Sequence, residues 1–169
     1  MAKKDTKKTE PKKSDTLFEK FGEMGSAKEL NMCADGFHEE GDIESLKAFA
    51  VENGFTEEDV LNYVKAKETN QTAEFCNPFT AAEAKMRLET KDHPELEKIA
   101  NFLLSEGDDM ELLEAIRKKG KRLVKAYIAM EDEAYKIAKK TASGRNCNGC
   151  LFSDNEGLTI IKKYYKEAV

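Results

Sequence analysis

The sequence has no Trp, and its only prolines are Pro11, Pro78 and Pro94. Runs of β-branched residues are almost absent, so a sheet has little to be built from. No stretch of 18 apolar residues occurs, which excludes a membrane-spanning helix. The N-terminal MAKKDTKKTEPKKSD lacks the apolar centre of a secretion signal. The four cysteines, Cys33, Cys76, Cys147 and Cys150, are too scattered for a disulfide framework. A reducing, cytoplasmic setting is therefore expected. His38 and His93 are the only histidines, each read as exposed and neither in an H-x-x-x-H pair or beside a Ser-His-Asp grouping. The glycines are scattered and form no GxxxxGK[ST] loop. These absences remove the usual signatures of acid–base, metal-assisted and phosphoryl-transfer chemistry. A protein that is not an enzyme and carries no cofactor is expected.

The 169 residues are rich in the helix formers Ala, Glu, Lys and Leu, with apolar residues at helical spacing. Many segments carry a start signal. Ser26-x-x-Glu29 opens a helix to about Glu40, which Gly41 ends. Ile43, Leu46, Phe49 and Ala50 form the next apolar face, stopped at Asn53-Gly54. Thr56-x-x-Asp59, Thr80-x-x-Glu83, Asp92-x-x-Glu95, Asp108/Asp109 and Ser153-x-x-Glu156 predict further starts. A longer helix is predicted over about 121–141. The fold class predicted is all-α: eight or nine short helices in a compact assembly behind a disordered, basic N-terminal tail. The division expected is a tail at 1–14, an acidic helical hairpin region at 15–67, a linker at 68–79 and a helical domain at 80–169.

Charge is divided along the chain. Residues 1–13 hold six Lys and two acids, for +4. Residues 14–114 hold nine basic and 25 acidic side chains, for −16, and residues 115–169 hold 13 basic and six acidic ones, for +7. The formal total of −5 conceals this division. Such asymmetry points to electrostatically steered contact, either with a partner or between the two parts of the chain.

Three groups are candidate sites. The first is the acidic hairpin, with Glu39, Glu40, Asp42, Glu44, Glu57, Glu58 and Asp59. A second helix that begins with three acids is unsuited to reading DNA. It suits a basic protein surface, or simply packs as a helix. The second group is the basic cluster Arg117, Lys118, Lys121, Arg122 and Lys125. Residues 118, 121, 122 and 125 share a face if one helix continues through Gly120. Such a stripe tracks phosphates, unless it is a solvated face or the basic end that a helix dipole favours. The third is Cys147-Asn148-Gly149-Cys150, whose C-x-x-C spacing suits zinc or redox chemistry, or closes a loop before the last helix.

The C-terminal part reads RKKGKRLVKAYIAMEDEAYKIAKK, then NGCLFSDNEG, then IIKKYYKEA. This pattern, over about residues 115–168, resembles the PcfK-like proteins of conjugative plasmids and integrated elements. The acidic hairpin region resembles the N-terminal parts of small proteins from Firmicute mobile elements. The resemblance implies an accessory protein of a mobile genetic element. Some PcfK-like proteins are anti-CRISPRs that inhibit Cas9 without chemistry. The chain departs from the shorter family pattern in its acidic extension at 14–114 and in the insertion TASGR. The expected function is a non-enzymatic interaction protein that binds a CRISPR effector nuclease such as Cas9. Two alternatives stand beside it: a conjugation accessory protein that binds nucleic acid through the 117–125 stripe, and a small zinc or redox protein using Cys147 and Cys150.

Overall fold

The computed structural model describes residues 17–141 and 153–167. Among the described residues every regular element is helical, in accord with the all-α reading. In chain order the α-helices are α1 (Ala27–Glu39), α2 (Ile43–Glu52), α3 (Glu57–Thr69), α4 (Pro78–Asp92), α5 (Glu97–Ser105), α6 (Met110–Arg117), α7 (Leu123–Thr141) and α8 (Asp154–Lys166). A single 3₁₀ turn, Pro94–Leu96, joins α4 to α5. The expected tail at 1–14 lies outside the described residues.

Local chemistry sets most boundaries. Thr56 and Asp59 form a reciprocal capping box at the start of α3, and Ser153 and Glu156 do the same for α8. Asp42 and Asp109 cap α2 and α6. Gly41, Gly54 and Gly120 have φ of 72°, 90° and 75°, the left-handed region in which glycine is least strained.

Several starts differ from the sequence reading. α4 begins at Pro78 rather than after Thr80, because Asn77 caps it in a box with Thr80 and Pro78 fills the first turn. Asp92 ends α4 instead of opening a helix, and α5 begins at Glu97 with no side-chain cap. Ser26 caps α1, but the Glu29 carboxylate turns to the Gly25 N–H at 2.9 Å and to Lys119 at 3.1 Å. Leu17, Phe18 and Phe21 lie in turns and bends that precede α1.

Two apolar clusters form the interior. One gathers Leu30, Ala34, Leu46, Phe49, Phe55, Val60, Tyr63 and Phe75 around α1–α3. Its aromatic rings meet edge-on: Phe21 lies 5.7 Å from both Phe37 and Phe49, and Tyr63 lies 5.4 Å from Phe75. The other gathers Met86, Leu96, Leu103, Leu112, Leu113, Ile116, Leu123, Ile161 and Tyr165 from α4–α8. α4 serves both, giving Ala81 and Ala84 to the first and Ala82 and Met86 to the second.

The segment read as a linker, 68–79, is mostly exposed but is anchored at two buried residues. α3 runs on to Thr69, Phe75 and Cys76 are buried, and the Asn31 amide holds the Cys76 backbone through two bonds of 2.8 and 2.9 Å. Its lack of helical signal has a cause: it crosses from α3 to α4 as a loop anchored by one aromatic ring.

Candidate functional site: acidic helix starts and a buried charge cluster

The acidic candidates are placed by helix ends. Glu39 and Glu40 stand at the end of α1, Asp42 and Glu44 at the start of α2, and Glu57, Glu58 and Asp59 in the first turn of α3. α2 has ten residues and therefore spans about 15 Å, so the two groups sit at its opposite ends. Glu39, Glu40, Asp42, Glu44, Glu57 and Glu58 are exposed. Their local duties differ. Asp42 accepts the Ser45 N–H at 3.0 Å, and the hydrogen bonds to Ser45 hold its carboxyl below the usual range. Glu44 pairs with Lys47 at 3.0 Å. Asp59 is engaged by the capping box and stands 4.0 Å from Arg87. Glu39, Glu40, Glu57 and Glu58 make no ion pair among the described residues.

The basic candidates have another fate. α6 stops at Arg117, Gly120 turns the chain, and α7 starts at Leu123. The continuous helix needed for a shared face through Gly120 is therefore absent, and the stripe is not formed. Arg117 and Lys121 are buried, Arg122 is half-buried, and only Lys118 and Lys125 are exposed.

The buried cations donate to carbonyls at helix ends, beyond the backbone caps those ends already have. The last carbonyls of a helix need donors, and that end of the dipole favours positive charge. Arg117 reaches into the other half of the molecule. Its Nη1 donates to the carbonyl of Asn53, the residue closing α2, at 3.2 Å, and its Nη2 to Asn53 Oδ1 at 2.5 Å. Its Nε donates to the Met24 carbonyl at 2.9 Å. Lys85 of α4 donates to the Lys118 carbonyl at 2.8 Å, at the end of α6. Lys121 donates to the carbonyls of Tyr164 and Glu167 at 2.5 and 2.9 Å, closing α8, and lies over the Tyr164 ring. The reverse pairing occurs once: α7 has no polar cap of its own, and the Glu89 carboxylate accepts the Leu123 N–H at its start.

Glu23 joins these groups. Its carboxylate accepts from Lys85 Nζ at 2.8 Å, from Arg122 at 2.6 and 3.1 Å, and from the Gly120 N–H at 3.0 Å. Burial works to raise its pKa, but Arg122, Lys85 and the Gly120 N–H outweigh it and bring the carboxyl down to about 2. Burial pulls Lys85 down to about 8 against the attraction of Glu23 and Glu89. Burial raises the Glu89 carboxyl, opposed by the Leu123 N–H, Lys85 and Arg122. Glu89 Oε1 is buried without a hydrogen-bond partner.

Sequence reasoning missed this cluster. Glu23, Asn53, Lys85 and Glu89 carry no shared motif and come from three separate segments. The one available signal is local: Lys85 and Glu89, four residues apart, interrupt the apolar positions of α4.

In comparison with known proteins, no family model, no curated protein and no solved structure matches the chain.

The remaining candidates are quickly placed. Cys147 and Cys150 lie outside the described residues. Cys33 is half-buried with its Sγ 3.8 Å from Met24 Sδ, and Cys76 is buried. His38 packs edge-on to Tyr63, and His93 is half-buried beside Glu95. Among the described residues no three His, Cys, Asp or Glu side chains gather to hold a metal ion. No described helix is long and apolar enough to cross a membrane.

Proposed function

We propose that this chain is a non-enzymatic interaction protein that sets its exposed acidic helix ends against a positively charged groove of a protein partner. One observation carries the reading. The acids at the ends of α2 face solvent, whereas Lys85, Arg117, Lys121 and Arg122 are spent inside the molecule on helix ends and on Glu23. The cluster withdraws these four cations and only two acids, Glu23 and Glu89, so it leaves the surface more acidic than the composition implies. Carboxylates spaced over about 15 Å match the charge of a nucleic-acid strand in the basic channel of an RNA-guided nuclease. The resemblance of residues 115–168 to PcfK-like proteins supplies the setting, a mobile genetic element whose accessory protein inhibits a CRISPR effector such as Cas9.

The decisive variant reverses Glu39, Glu40, Glu57 and Glu58 to Lys and leaves Asp59 in place, because Asp59 holds the start of α3. Affinity for the purified effector nuclease, measured by calorimetry, is expected to fall more than about tenfold near 0.1 M salt, with a smaller loss at 0.5 M. Unchanged affinity at the lower salt would falsify the proposal. The same titration with duplex DNA in place of the effector tests the nucleic-acid alternative.

A further inference from the structure

We infer that the molecule opens as two bodies hinged on α4, with Glu23 as the latch. The N-terminal body is the segment 17–25 with α1–α3 and the loop to α4. The C-terminal body is α4–α8. The two apolar clusters stay separate. What the first draws from α4 is small, Ala81 and Ala84, and the second draws nothing from α1–α3, so the bodies can part while the C-terminal cluster keeps its large apolar side chains buried.

Beside Ala81, Ala84 and the contact of Gly54 with α4, the seam between them carries polar contacts. Glu23 crosses it to Lys85, Arg122 and the Gly120 N–H, and Arg117 crosses it to Met24 O, Asn53 O and Asn53 Oδ1. Glu29 crosses it to Lys119 at 3.1 Å. Water solvates every one of these groups once the seam opens, which is not true of a torn apolar core. Opening is then a local event well below global unfolding. The segment bearing Glu23 moves with the N-terminal body, because the Glu52 carboxylate accepts the N–H groups of Lys20, Phe21 and Gly22, and Phe21 packs on Phe37 and Phe49.

Hydrogen exchange of the full chain, read by mass spectrometry across a urea series, tests this. Parted from Ala81 and Ala84, the N-terminal body has lost one wall of its core and its helices open in turn, so in the unmodified protein the α1–α3 amides are expected to exchange through an opening distinct from that of α6 and α8, with smaller urea dependence. Glu23→Gln is expected to speed α1–α3 exchange about a hundredfold while α6 and α8 change less than about threefold, since breaking one partner of a buried ionic network is costly and here the cost falls on the seam. Should Glu23→Gln fail to fold, the urea series on the unmodified protein decides. Exchange of α1–α3 and α6/α8 through one common opening, with the same urea dependence, overturns the proposal.

Discussion

Glu23 and Glu89 are carboxylates of the same cluster whose pKa values move in opposite directions, and the contrast gives a pH signature. The folded pKa of Glu23, about 2, lies below its ordinary 4.5. Its contribution is therefore complete above pH 4.5 and is lost as pH falls toward 2. A shift of that size corresponds to about 3 kcal/mol at neutral pH. Glu23→Gln should lower stability by that order at pH 7 and by almost nothing near pH 2. Glu89 has a folded pKa above its ordinary value, so ionising it costs stability as pH rises through that folded pKa. Glu89→Gln keeps an acceptor for the Leu123 N–H and removes the buried charge. It should match or exceed the parent's melting temperature at pH 8, with the difference closing toward pH 4. Thermal melts followed by circular dichroism from pH 2 to 8 check both signs. A Glu89→Gln variant that loses stability with rising pH would contradict this assignment.

At the scale of the helix, the division is between ends that cap themselves and ends capped from afar. α3 and α8 start on their own Thr and Ser boxes, and these starts were legible as Thr56-x-x-Asp59 and Ser153-x-x-Glu156. Thr56→Ala removes the hydroxyl that accepts the Asp59 N–H and should cost about 1 kcal/mol in a denaturant titration. The ends of α2, α6 and α8 add to their own backbone caps the donors Arg117, Lys85 and Lys121 from other elements, and the start of α7 takes Glu89 as acceptor. Nothing local announces such a partner, which is why residues 117–125 read as one basic face. The reading assumed helix through Gly120, and the left-handed turn there removed it.

Across the whole molecule, one close backbone approach depends on a residue without a side chain. Gly54, at the corner between α2 and α3, lies against α4. A Cβ placed on it would stand 2.0 Å from the Ala84 carbonyl oxygen, and its φ of 90° already disfavours any other residue. Gly54→Ala should therefore destabilise the protein by more than about 2 kcal/mol. Gly41 shares the left-handed backbone (φ 72°) but has open space around it, so Gly41→Ala should cost only about 1 kcal/mol. Equal losses at the two positions in urea titrations would show that the approach of the corner to α4 is not tight.

The sequence by itself determined the all-α class, the helix starts marked by Thr56, Asp109 and Ser153, and the stops at Gly41 and Gly54. These are local properties, fixed by backbone conformation and by side chains three or four residues apart. The tertiary structure alone decided the division into two cores, the anchoring of residues 68–79 by Phe75, and above all which charges remain outside. A buried Lys or Arg looks the same in sequence as an exposed one. Its place is set by a carbonyl or carboxylate tens of residues away: Arg117 by Asn53, Lys121 by Glu167, and Arg122 by Glu23.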